Sequence, residues 1–80
     1  MPPFLSSPTQ LGHLLMSARR RKKMTQAEAA ARAGISQSRL SVLESDPSAM
    51  TVAQLLALTA VYGLRVAVDD RPDAASTAEW

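Results

Sequence analysis

The sequence predicts a mainly α-helical domain of four helices, followed by one β-strand and a disordered tail. Helix-capping residues at Ser7, Thr25, Ser36 and Thr51 each precede a segment with helical spacing of apolar residues. After Gly63 the apolar spacing changes to two, and from residue 70 the chain is polar, small and interrupted by proline. The predicted divisions are therefore a helical domain over 1–63, a strand over 64–69 and a flexible tail over 70–80.

The first helix begins after Ser7, which is suited to cap it because Pro8 follows at the first helical position and Gln10 at the third. From Leu11, apolar residues recur at i, i+3, i+4 and i+7. The helix ends in a run of cations over residues 19–23, which the negative C-terminal end of a helix dipole favours.

The next two helices are short. Thr25 and Glu28 have the spacing of a capping box, and Gly34 is expected to end the Ala-rich helix that they open. Ser36 opens the third helix, which must end before Pro47 because proline disfavours the helical conformation in the preceding residue.

Thr51 and Gln54 open the fourth helix, and Gly63 is expected just after its end. The strand that follows places three apolar side chains on one face: Leu64, Val66 and Val68. It is the only strand predicted, and a lone strand leaves its backbone donors and acceptors unpaired. We therefore expect it to pair antiparallel with the same strand of a second copy, which makes a homodimer. The alternative is an extended segment packed on the helices.

An 80-residue chain forms one small domain, near the size at which a single core gives only marginal stability. Apolar residues make up 46% of it, but 14 of these are alanine, so the core buries little area per side chain. Help from oligomerisation is therefore expected.

Several function classes are excluded by composition. Without cysteine and with His13 as the only histidine, the chain has neither a disulfide framework nor a thiolate or multi-histidine metal site. We find no carboxylate pair at catalytic spacing and no Gly-rich phosphate loop, so we expect no enzyme, no catalytic residue and no cofactor. Because no apolar run exceeds four residues and the N-terminus lacks the pattern of a signal peptide, we expect a cytoplasmic protein with no membrane partner.

Charge is distributed unevenly along the chain. The net charge of +2 is the sum of +5 over residues 1–44 and −3 over residues 45–80. The N-terminal half is therefore a candidate surface for a polyanion, although a solvated helix face can also be basic.

Residues 25–44, with the letters TQAEAAARAGISQSRLSVLE, are two short predicted helices joined at a glycine. This segment resembles the helix-turn-helix of the Cro and phage-repressor class. The matching positions are Gln26 at the start, Ala30 at the helix contact, Gly34 in the turn, and Leu40 and Leu43 beneath the second helix. The resemblance implies a four-helix, Cro-like domain that binds double-stranded operator DNA.

The chain also resembles the HipB-type antitoxins. The features in common are SPTQL at residues 7–11, the helix-turn-helix, the single strand after the fourth helix, and Glu79 and Trp80 near the C-terminus. That family is the DNA-binding partner of a HipA kinase toxin. The resemblance implies a dimer that represses its own operon and holds a HipA-like kinase toxin in an inactive complex, with Trp80 as a toxin-binding residue.

The second helix of the motif is expected to enter the major groove with its N-terminal residues. Gln37 is the best base reader, since its amide can bond adenine N6 and N7 together. The serine hydroxyls beside it can donate or accept a hydrogen bond, so they discriminate only weakly between bases. The candidate base contacts are Ser36, Gln37, Ser38 and Ser41, and the candidate phosphate contacts are Gln26, Arg20, Lys22, Lys23 and Arg39. Arg39 can be assigned to base or phosphate equally well.

Arg19 and Glu44 have a different expected role. In phage repressors of this class, the residues at these two positions form an ion pair between the first helix and the end of the recognition helix. The resemblance therefore implies a structural ion pair here. Two other functions stay open: a simple repressor with no toxin partner, and a protein-binding adaptor that keeps the fold but binds no DNA.

Overall fold

The computed structural model describes residues 4–70, and within them the chain is helical. Its elements are α1 (Pro8–Arg21), α2 (Gln26–Ala33), α3 (Gln37–Ser45), a turn of 3-10 helix (Pro47–Ala49) and α4 (Val52–Val61). The predicted mainly helical fold with four helices is therefore confirmed. The predicted disordered tail lies outside the described residues except for its first residue, Asp70.

Side chains cap the helices where the sequence predicted. Thr25 and Glu28 form both bonds of a capping box at α2, and Thr51 and Gln54 do the same at α4. At α1 the Ser7 hydroxyl accepts the N–H of Gln10 at 3.2 Å. The Gln10 side chain, however, accepts the N–H of the residue before Ser7, at 2.8 Å, so the reciprocal bond is displaced by one residue.

The turn between α2 and α3 depends on Gly34. Its φ of 76° lies in the left-handed region that side chains with a Cβ rarely adopt. In this conformation the N–H of Ile35 bonds back to the carbonyl of Ala30 at 3.0 Å, which closes α2. The chain then turns into Ser36, whose hydroxyl caps α3.

The core lies where the four helices meet, and small residues bring them together. Ala29 and Ala30 on α2 are buried, as is Ala18 on α1. Larger side chains from α1, α3 and the C-terminal end of α4 fill the remaining space, and each is at most 2% exposed: Leu15, Leu40, Leu43, Leu58 and Tyr62. Leu40 and Leu43 thus lie beneath α3, as predicted.

Gly12 allows α1 to approach the end of α3. A Cβ atom on Gly12 would lie 2.6 Å from Cγ of Pro47 and 3.0 Å from the carbonyl oxygen of Glu44. Only a residue without a side chain fits this contact. This contact was not predicted from the sequence, although a glycine inside a helix, where it costs about 1 kcal/mol relative to alanine, indicates a packing reason.

The strand predicted over 64–69 is not formed in the described chain. After α4, Gly63 takes a φ of 71° and residues 64–70 continue without regular secondary structure. A strand requires a ladder of hydrogen bonds to a neighbouring strand, and the described residues contain no other strand to supply one.

Candidate nucleic-acid interface

The outward face of α3 is exposed and, apart from Val42, polar. Gln37, Ser38 and Ser41 all lie on it, while Leu40 and Leu43 face the core. This placement leaves the Gln37 amide accessible to a base edge. Ser36 is exposed as well, but its hydroxyl already accepts the N–H of Arg39 at 3.0 Å.

Arg19 and Glu44 tie α1 to the end of α3. The Arg19 guanidinium donates to both carboxylate oxygens, from Nε to Oε2 at 2.7 Å and from Nη2 to Oε1 at 3.2 Å. Its Nη1 donates to the carbonyl oxygen of Met24 at 2.9 Å. The two side chains are only 11% and 5% exposed, and the hydrogen bonds to Glu44 hold the pKa of Arg19 above its ordinary value. Arg19 is therefore fully engaged within the domain and presents little charge to a ligand.

Gln26 joins the same network. Its Nε2 donates to Oε1 of Glu44 at 2.9 Å, so the first residue of α2 is held by the next-to-last residue of α3. Gln26 is predicted from the sequence to contact a phosphate, and its bond to Glu44 was not predicted. The second hydrogen on Nε2 and the backbone N–H groups at the start of α2 are the donors through which this end of α2 could contact an anion.

Arg39 connects α3 to the segment that precedes α4. Its Nη2 donates to the carbonyl oxygen of Ala49 at 3.0 Å, and its side chain is partly buried. One side of the guanidinium is thus occupied by the 3-10 turn. The sequence could not reveal this bond, because the acceptor is a backbone carbonyl ten residues away.

The other predicted phosphate-binding cations lie in the last turn of α1 and just after it. Arg20, Lys22 and Lys23 are all exposed. Nζ of Lys22 lies 3.4 Å from the point that a Cβ on Gly63 would occupy, at the C-terminal end of α4, whose dipole attracts a cation. Lys23 has a φ of 57°, an unfavourable conformation for a residue with a Cβ, in the turn before α2.

Tyr62 places a buried hydroxyl where the charges of Glu44 and Arg19 act on it. The side chain is 2% exposed, and its hydroxyl has no hydrogen-bond partner among the described residues. Burial raises the pKa of Tyr62, and the negative charge of Glu44 raises it further. The phenol therefore stays neutral. Its ring is part of the core, and residues 64–70 follow it in the sequence.

Residues 4–70 contain neither a metal-binding cluster nor a membrane-spanning helix. No group of three acidic or histidine side chains there is arranged to hold a metal ion. None of the helices in this range has the length and apolar character needed to cross a membrane.

Comparison with known proteins agrees with this geometry. A helix-turn-helix family model matches residues 15–68. No curated protein matches the chain. Among solved structures, a chain of the HipA-HipB-O2-O3 complex is 28% identical, with a TM-score of 0.79, over 86% of this chain and 97% of the other. A HipB(S29A)-O2 20mer complex gives 28% identity and a TM-score of 0.80, over 88% and 97%.

These similarities point to a DNA-binding regulator rather than an enzyme. The family model covers more than half of the chain, including both helices of the motif and the turn at Gly34. This chain aligns with the two HipB structures over 97% of their length. The chain belongs to the helix-turn-helix family.

Proposed function

We propose that this chain is a homodimeric, operator-binding repressor that acts in the cytoplasm as the antitoxin of a toxin–antitoxin module. It represses its own operon and neutralises a HipA-like kinase toxin. The observation that carries the DNA-binding part is the exposed face of α3, with Gln37 accessible and the helix tied at its other end through Glu44 to Arg19 and Gln26. A helix that reads bases must be held in one orientation, and this network supplies that rigidity.

The proposed DNA contacts fall into two groups. Gln37, with Ser36, Ser38 and Ser41 around it, contacts base edges from the N-terminal half of α3. Gln26 and the exposed cations Arg20, Lys22 and Lys23 contact phosphates, which fix the position of the domain without reading sequence. Arg39 supports α3 through Ala49 and can offer its remaining donors to a phosphate.

A second copy completes the proposed DNA-binding unit. Residues 64–69 expose Val66 at 45% and Val68 at 95%, beside an apolar groove of about 630 Å³ lined by Leu11, Leu14 and Leu55. A second chain that pairs with this segment would satisfy its backbone and cover the groove. Two recognition helices would then face half-sites about 34–36 Å apart, one turn of DNA, or a multiple of that distance.

The DNA-binding part is tested by selecting duplexes from a random pool and measuring affinity for the selected sequence. We expect a palindrome. Gln37→Ala is expected to relax the preference at one position per half-site and to weaken the operator complex by about 1–3 kcal/mol. The control Arg20→Ala, which removes an exposed cation outside the Glu44 network, should weaken operator and random DNA alike. Equal losses on both DNAs for Gln37→Ala would contradict its base-reading role.

The toxin partner is proposed from the structural similarity to the HipA-HipB complex, together with Trp80. A single tryptophan beyond the domain could fill a pocket on the kinase as a binding hot spot. Deleting Glu79 and Trp80 should leave DNA affinity unchanged and weaken the complex with a HipA-like kinase whose gene adjoins the gene for this chain. If no kinase gene adjoins it and no kinase binds, the alternative of a simple repressor without a toxin is favoured.

A further inference from the structure

Val42 is the one apolar side chain that α3 exposes. The helix spans Gln37–Ser45, and its other exposed side chains are an amide and three hydroxyls, at Gln37, Ser38, Ser41 and Ser45. Val42 is 47% exposed, whereas the other apolar residues of this helix are buried in the core. It lies one helical turn after Ser38, on the face that the proposed function turns toward DNA.

The hydroxyls of two neighbouring serines are bound within the domain. Ser45 Oγ donates to the carbonyl oxygen of Ser41 at 3.0 Å, and Ser38 Oγ lies 3.3 Å from Ser36 Oγ. The valine side chain has no polar group, and in a helix its branched Cβ favours one rotamer. The C-terminal half of the exposed face therefore presents a rigid apolar group.

We infer that Val42 reads the 5-methyl group of a pyrimidine in the major groove, an inference that rests on the proposed function. The C5-methyl of thymine is the one apolar group that a normal base pair offers there, and an aliphatic side chain binds it by contact. 5-Methylcytosine carries the same methyl at the same position. Because Val42 cannot bond O4 or N4, it should accept either base.

Val42 is expected to read a different base pair from Gln37. It lies five positions after Gln37, about 7.5 Å along the helix at ~1.5 Å per residue. Because this distance exceeds the ~3.4 Å between neighbouring base pairs, the methyl is expected on another base pair of the same half-site.

The test replaces each thymine of the selected operator by deoxyuridine, one at a time, and measures the dissociation constant. Deoxyuridine removes only the methyl group. We expect one position per half-site at which affinity falls by about fourfold, and by about sixteenfold when both half-sites are changed. At that position, a 5-methylcytosine–guanine pair should bind more tightly than a cytosine–guanine pair by the same factor.

Val42→Ala should reduce this sensitivity, because the shorter alanine side chain contacts the methyl less closely than the branched valine side chain. His13→Ala is the control, since His13 is also exposed but lies on α1. This control should retain the sensitivity of the unchanged protein.

Two results would overturn the inference and are distinguishable from each other. If operator binding is specific but no deoxyuridine position matters, or the sensitive position is unaffected by Val42→Ala, the role of Val42 is wrong and the proposed function stands. If no duplex is bound specifically, the proposed function fails, and the role of Val42 fails with it.

Discussion

Glu44 is the residue on which α1, α2 and α3 converge. Its carboxylate accepts two hydrogen bonds from Arg19 and one from Gln26, and its side chain is only 5% exposed. A buried ion pair adds little over a hydrophobic contact of the same shape, but removing one partner leaves the other charge uncompensated. The network therefore acts mainly by holding the recognition helix in one position.

Arg19→Ala and Glu44→Ala should each lower the free energy of unfolding by about 3 kcal/mol, because each leaves a nearly buried charge behind. The double variant should be no less stable than either single variant, since the interaction is lost only once. Urea unfolding measures all three, and Arg20→Ala, which removes an exposed neighbouring charge, should change stability by about 0.5 kcal/mol or less. Additive losses would show that the two residues act separately.

At the scale of the helices, the capping residues made the helix boundaries predictable. The contacts between helices could not be predicted. Thr25, Gly34 and Thr51 act through neighbours in the sequence, so their roles could be predicted from local chemistry. The bonds from Arg39 to a carbonyl and from Gln26 to Glu44 depend on how the helices pack. Sequence periodicity shows which face of a helix is buried but not which atoms it meets.

Gly12 is the clearest such contact, and Gly12→Ala should destabilise the domain. In an ordinary helix this change stabilises by about 0.5–1 kcal/mol. Here the new methyl would overlap Cγ of Pro47, at 2.6 Å, and we expect a net loss of about 1–3 kcal/mol from overpacking. Adding Pro47→Ala, which removes that atom, should recover part of the loss. A melting temperature of Gly12→Ala higher than that of the unchanged protein would show that this contact does not limit the packing of α1.

The capping box of α2 predicts an acid-dependent loss of stability. The Thr25 N–H and hydroxyl lower the pKa of Glu28 below its ordinary value of 4.5. A carboxyl whose pKa is lower in the folded state stabilises the fold above its ordinary pKa, and this contribution is lost as the pH falls through the folded value. Glu28→Gln keeps an acceptor but cannot titrate, so its urea-unfolding stability should vary less with pH below about 4.5. An identical pH profile for both proteins would refute this role.

At the scale of the whole molecule, apolar surface is concentrated on the side that the proposed dimer would cover. α4 contains no charged residue and leaves Val52 and Leu56 exposed, and the groove beside it continues to residues 64–69. The sequence could predict that residues 64–69 have the pattern of a strand. It also predicted a second copy as the partner, and one chain by itself leaves residues 64–69 without the ladder that this partner would supply.

Val66→Pro tests the pairing of these segments. Proline lacks the N–H that a ladder requires, so in sedimentation the variant should be a monomer at concentrations where the unchanged protein is a dimer. Val66→Thr is the control, because threonine keeps the N–H and favours strands. Residue 66 lies after α4, so the helical content of the Val66→Pro monomer should persist. Its operator affinity should fall steeply, because one recognition helix can then contact only one half-site. A dimer that survives Val66→Pro would mean that the helices alone hold the two copies together, through the apolar side of α4.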